Sequence, residues 1–143
     1  MVLPVTATYA GATGIVLVFL AMNTALFRLS TGRHYGTGKD DTTGKTLLYR
    51  SRAHGNLQEV FAIFFGLFAL IEANGILTTE QLQILGTVFL VIRLGHAFQL
   101  TEPSRPVILR FVGFLGTTFL LAAMSAMLLY HGVQAGGGLL QKA

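Results

Sequence analysis

No cysteine and no tryptophan occur among the 143 residues, and only 11% of them are charged. Without cysteine there is no disulfide framework, no thiolate zinc site and no cysteine nucleophile. A water-soluble domain normally carries about 25% charged residues, because its surface must be solvated. Less than half that share is present, which excludes an ordinary soluble enzyme fold. Ten Lys+Arg stand against six Asp+Glu. The resulting pI of about 9.9 reflects a small excess of base, so the position of the charges matters more than their sum.

What is present is apolar. Hydrophobic residues make up 52% of the chain and the mean hydropathy is +0.64. No charged side chain occurs from Met1 to Phe27, or again from Phe111 to Gln141. Each stretch exceeds the roughly 20 residues that a helix needs to cross a bilayer core. Two further apolar stretches lie between them, one with Glu59 and Glu72, the other with Arg93 and His96. Backbone groups in lipid must bond internally, and no alternating barrel pattern is seen, so the spans are helices. The expectation is an all-α integral membrane four-helix bundle, one domain over residues 1–143, with spans near 6–29, 47–77, 79–100 and 107–130.

The connections agree with this plan. Residues 30–46 are rich in Gly, Thr and charge; Asn74-Gly75 is a helix stop with Thr78 or Thr79 as the next N-cap; Thr101–Pro106 carries two prolines. Tyr9, Tyr35, Tyr49 and Tyr130 fall near span ends, where amphipathic rings favour the interface. Arg28, Arg33, Lys39, Lys45, Arg50 and Arg52 cluster at the first loop, and Arg105 and Arg110 at the third. The positive-inside bias then predicts cytoplasmic first and third loops and outward termini. The first segment has no basic n-region and too long an apolar run for a cleavable signal peptide, and no arginine before Arg28 to suggest a mitochondrial presequence.

Two patterns carry no chemistry. Gly38 to Thr46 looks like a phosphate-binding loop, yet five residues rather than four separate its glycines and no strand precedes it. The four histidines lack paired ligand spacing, with His34 and His131 near span ends, so no metal site is expected. Small residues at four-residue spacing (Ala7 and Gly11, Ala10 and Gly14, Gly113 and Thr117, Ala122 and Ala126) predict close helix packing.

The polar residues inside the spans are more informative. Arg52, Asn56 and Glu59 are spaced i, i+4, i+7 and project from one face of the second helix; Arg93 and His96 share a face of the third. Ionisable groups at such depth are costly and must face protein or a wet cavity. One reading is a structural network, for example Glu59 paired with Arg93 or Arg52. The other is a polar pocket whose arginines hold an anion, and the two are compatible. Glu72, near the far end of the second helix, reads as a solvated helix terminus.

The segment Arg52-Ala53-His54-Gly55-Asn56-Leu57-Gln58-Glu59 resembles the R-A-x-x-N-x-x-E motif of MAPEG proteins, the membrane-associated proteins of eicosanoid and glutathione metabolism. Arg93-Leu94-Gly95-His96 is similar to the family's R-x-x-H on the third helix, and the likeness covers nearly the whole chain. The Arg-Ala-His-Gly-Asn form looks closest to the bacterial branch, which implies a bacterial inner membrane. The resemblance further implies a homotrimer, with glutathione as co-substrate bound between subunits near the cytoplasmic face. Carried over by motif, Arg52, Asn56 and Glu59 hold the tripeptide, with His54 on the adjoining wall and Arg93 and His96 on the facing helix. The family's thiolate-stabilising arginine has two candidates, Arg105 and Arg110; Arg105 is favoured because it follows a proline turn. Val60 and Leu100 stand where many members carry aromatics, which argues against a eukaryotic-style leukotriene or prostaglandin synthase.

The implied activity is that of a microsomal-type glutathione transferase, with or without peroxidase activity, acting on lipophilic electrophiles that arrive from membrane lipid. An alternative of another class is a non-catalytic protein that binds a lipid or amphiphile in the same clefts. A four-helix transporter is a third reading, but no carboxylate precedes Asp40 to serve the first helix.

Overall fold

A computed structural model describes residues 2–37, 41–102 and 104–140, with side chains up to residue 136. Four helices follow one another: α1 (Pro4–Thr31), α2 (Thr42–Ala73), α3 (Thr79–Leu100) and α4 (Val107–Leu140). Among the described residues there is no strand. All four helices are long and apolar enough to cross a membrane. Even α3, with 22 residues, is about 33 Å long at 1.5 Å per residue, and so matches a hydrocarbon core of about 30 Å.

Local chemistry sets the ends. Pro4 opens α1, where its missing N–H costs nothing. Gly32 closes it at φ 67°, with the Arg33 N–H donating to Arg28 O at 3.1 Å. Asp41 caps α2 by accepting from the Gly44 N–H at 2.7 Å. This start at Thr42 is earlier than the apolar pattern predicts, because the cap lies six residues upstream of Leu47, where the apolar run begins. Asn74 and Gly75 then stop α2 after Ala73, and a Thr78/Gln81 capping box starts α3. α4 continues past the expected end at Tyr130 to Leu140, although Gly132 and residues 136–138 are glycines that weaken a helix; no proline interrupts the stretch. Of the phosphate-loop look-alike, residues 38–40 lie outside the described part, and Thr42–Thr46 is the first turn of α2.

Among the described residues the backbones of α1 and α4 nowhere come within 8 Å between Cα atoms; α2 and α3 pack between them. An aromatic cluster fills the centre, with Phe64 and Phe89 stacked at 3.6 Å between centroids and Phe68 against Phe64. A smaller cluster of Leu20, Ala53, Leu57, Ala97 and Leu100 lies towards the end where loops 1 and 3 emerge. Many outer residues, Ile15, Phe19, Phe119 and Leu129 among them, are exposed and apolar, as helices facing lipid require. Close approach occurs where a side chain is missing. Gly86 takes the Tyr9 ring and Gly113 takes the His96 ring, each position leaving no room for a Cβ. A Cβ at Gly11 or Gly14 of α1 would meet nothing within 4 Å, so these two glycines serve no close approach within the protomer, whereas Ala10 beside them packs on the core.

Glu72 is not a freely solvated terminus. Its carboxylate accepts from the Val5 N–H (3.0 Å), the Thr6 N–H (2.7 Å) and the Thr6 hydroxyl (2.6 Å). Leu3, the N-cap residue of α1, offers no side-chain cap, and the last turn of α2 supplies one from across the bundle.

Candidate functional site

At the end of the bundle bearing loops 1 and 3, α2, α3 and α4 bring polar side chains together. Arg93 is 2% exposed, and burial of its permanent charge demands partners. Its Nη2 donates to Asn56 Oδ1 at 2.9 Å, and its Nη1 meets His96 Nδ1 at 2.9 Å. A guanidinium has no acceptor, so His96 accepts through Nδ1 and carries its proton on Nε2. Asn56 commits its carbonyl oxygen to Arg93, which leaves its NH2 group as a donor to the space beside α2. The arginine is therefore a buried post that orients two side chains. Gly113 of α4 lets the His96 ring lie flush against that helix.

Glu59 forms no hydrogen bond or close ion pair with Arg93 or Arg52. It is exposed, and an ion pair is formed instead in the first loop, by Arg33 and Asp41. The amide one turn earlier takes the hydrogen bond from Arg93, while the Glu59 charge acts on that cation only through space.

Two adjoining clefts flank this post. The first, of about 380 Å³, is lined by Leu48, Tyr49, Arg52, Asn56, Leu100 and Arg110. The second, of about 450 Å³, is lined by Asn56, His96, Val107, Arg110, Phe111 and Phe114. Both volumes fall in the range of small-molecule sites, roughly 300–1,000 Å³. Asn56 and Arg110 belong to both. Arg52 and Arg110 are exposed and make no hydrogen bond or ion pair among the described residues, so their N–H groups are available to an anion. One cleft is thus cationic and polar; the other has an apolar wall in which Phe111 and Phe114 are each 58% exposed.

A family model, MAPEG family, matches residues 6–130. The chain belongs to the MAPEG family. Neither a curated protein nor a solved structure matches it. Against that membership, the site residues divide into three groups. Arg52, Asn56, Arg93, His96 and Arg110 converge in this MAPEG bundle at the two clefts. His54 and Glu59 sit on α2 but line neither. Arg105 lies apart, donating to Phe98 O and Thr101 Oγ1 at 2.6 Å each and stacking at 3.8 Å over the Phe98 ring. It faces a cleft between α1 and α3.

Sequence reasoning missed Tyr49 as a wall of the polar cleft, although its spacing of three residues before Arg52 places it on the same helical face. It also missed the Phe111 and Phe114 wall, which looks like any other lipid-facing run in an uncharged span. Among the described residues no group of three His, Asp or Glu is arranged to hold a metal.

Proposed function

We propose that this MAPEG protein is a membrane glutathione-dependent transferase, with or without peroxidase activity, that acts on lipophilic electrophiles. One observation carries the reading: Arg110 stands where the cationic cleft of Arg52 and Asn56 meets the apolar groove of Val107, Phe111 and Phe114. Glutathione is an anionic tripeptide with two carboxylates. Arg52 and the Asn56 amide are free to bind it, and the cleft is large enough for a ligand of that class.

The chemistry follows from the junction. The thiol of glutathione ionises near pH 8.5 when unperturbed, and the thiolate is the nucleophile. A guanidinium beside sulfur favours the thiolate, and a tenfold gain in its ionisation constant corresponds to about 1.4 kcal/mol. An aryl halide in the groove then gains a sulfur–carbon bond and loses halide with the electron pair. A hydroperoxide instead gives its terminal oxygen to sulfur as the O–O bond breaks, which releases the alcohol and leaves a sulfenic acid, and a second glutathione thiol then displaces water to form the disulfide. We assign the thiolate role to Arg110 rather than Arg105, because the Nη1 of Arg105 is engaged with α3 on the other side of the α2–α3 pair.

The same reading includes a homotrimer in a bacterial inner membrane, with His54 and Glu59 reaching glutathione across the subunit boundary and the site on the cytoplasmic side. Thermal melting in detergent with and without millimolar glutathione tests it, followed by thiolate absorbance and turnover of an aryl halide and a hydroperoxide. The expected result is a raised melting temperature, as ligand binding to the native state requires. Arg52→Ala removes the rise, while Arg110→Ala lowers turnover more than binding. Absence of both stabilisation and turnover overturns the reading.

A further inference from the structure

The cleft between α1 and α3 is separate from the proposed thiol site and shares no lining residue with it. It encloses about 430 Å³ at the end of the bundle where loops 1 and 3 emerge. Its floor and one wall are apolar, with Phe19, Leu94 and Phe98 exposed at 68%, 45% and 52%. Its other wall holds two guanidinium groups, Arg50 and Arg105, with Glu102 as the one carboxylate in the lining.

Both guanidiniums are pre-positioned. Arg50 donates through Nη1 to Asn23 Oδ1 at 3.0 Å and lies 4.2 Å from the Phe27 ring centroid. Arg105 is fixed through Nη1 by Phe98 O and Thr101 Oγ1 and by its stack on Phe98. In each, Nη2 makes no hydrogen bond among the described residues, and Nε of Arg50 is buried without a partner. A buried donor left unmade is costly, and planar guanidinium forks are suited to phosphate oxygens. Two cations against one carboxylate favour a net negative guest. The apolar wall below them runs along helices that span the membrane, so the guest also has a chain to bury.

We propose that this cleft binds an anionic phospholipid, its phosphate on Arg50 and Arg105 and an acyl chain along Phe19, Leu94 and Phe98. A basic pocket between spanning helices at a membrane surface is a setting in which anionic headgroups are held. The site does not depend on the glutathione reading, because neither arginine lines the clefts of Arg52 and Arg110.

The test is native mass spectrometry of the full chain in detergent after equilibration with equal amounts of phosphatidylglycerol and phosphatidylcholine. Phosphatidylglycerol is expected to be retained in roughly tenfold preference, since each arginine contributes to anionic headgroup attraction. The double variant Arg50→Gln/Arg105→Gln is expected to lose that preference, and Arg105→Gln alone, at a half-exposed position, to lose part of it with helicity unchanged. Arg52→Gln, in the other cleft, keeps it. Equal retention of the two lipids by the unaltered protein overturns the proposal, as does a preference that survives in both Arg105→Gln and the double variant. Inorganic phosphate alone raising the melting temperature as far as phosphatidylglycerol also overturns it, because the apolar wall then contributes nothing.

Discussion

The carboxylate of Glu72 accepts a hydrogen bond from the Thr6 N–H at 2.7 Å, so the last turn of α2 caps the first turn of α1 across 66 residues of sequence. Replacing this cap removes acceptors from N–H groups that have no other side chain to meet. Glu72→Ala is expected to cost about 1–3 kcal/mol, the range of a lost cap with charge-assisted bonds. Glu72→Gln, which keeps one acceptor, should cost less. Chemical or thermal unfolding in detergent measures both, and equal stability of Glu72→Ala and the unaltered protein contradicts the capping role.

The Asn56–Arg93 contact supports a second prediction. Asn56→Ala leaves a buried guanidinium short of an acceptor and should destabilise by about 1.5–3 kcal/mol. Removing both polar partners, as in Asn56→Leu/Arg93→Met, should cost less than the sum of the single changes, because no charge is left stranded. A double-mutant cycle on unfolding free energies decides this; strict additivity would mean that the two side chains do not depend on each other.

The first loop predicts a pH response. Arg33 and the Gly44 N–H hold the Asp41 carboxyl down to about 2, against an ordinary value of 3.8. A depressed folded-state pKa gives stability that is present above about pH 4 and is lost as pH falls from there through about 2. Melting temperature followed over that window should fall more steeply for the unaltered protein than for Asp41→Asn. Parallel acid limbs would show that the pair contributes nothing to folding.

Glycine positions separate into crowded and open ones. At Gly113 an added methyl meets the His96 ring, and at Gly86 it meets the Tyr9 ring 2.5 Å away. Gly113→Ala and Gly86→Ala should each destabilise by about 1–3 kcal/mol through overpacking. At Gly14 no group lies within 4 Å, so Gly14→Ala should be neutral or stabilising by up to about 1 kcal/mol within a single protomer, from helix propensity. Unfolding measurements on the three variants check this contrast.

The spans were legible because hydropathy acts along the chain: uncharged runs and turn residues mark all four helices, and the largest shifts are the cap at Asp41, the stop of α2 at Ala73 instead of residue 77, and the extension of α4. Arg52 and Asn56 were legible for the same reason, since one helix fixes their common face. Which cation each polar group meets was not, because it depends on how two helices are rotated against each other. Glu59 looks the natural partner of Arg93, yet the neutral amide of Asn56 takes that place. Glu72 shows the same limit, since an acid near a helix end does not announce which distant N–H groups it will reach. Arg105 and Arg110 lie five residues apart and fall on opposite sides of the α2–α3 pair, a division set by the turn before α4.

The Glu72 contact also orders events in time. During synthesis the first helix emerges well before the carboxylate that completes its opening turn, so that turn stays unfinished until the second helix has been made to its final residues. A nascent chain halted before Glu72 therefore lacks the acceptor that the Val5 and Thr6 N–H groups use in the finished bundle.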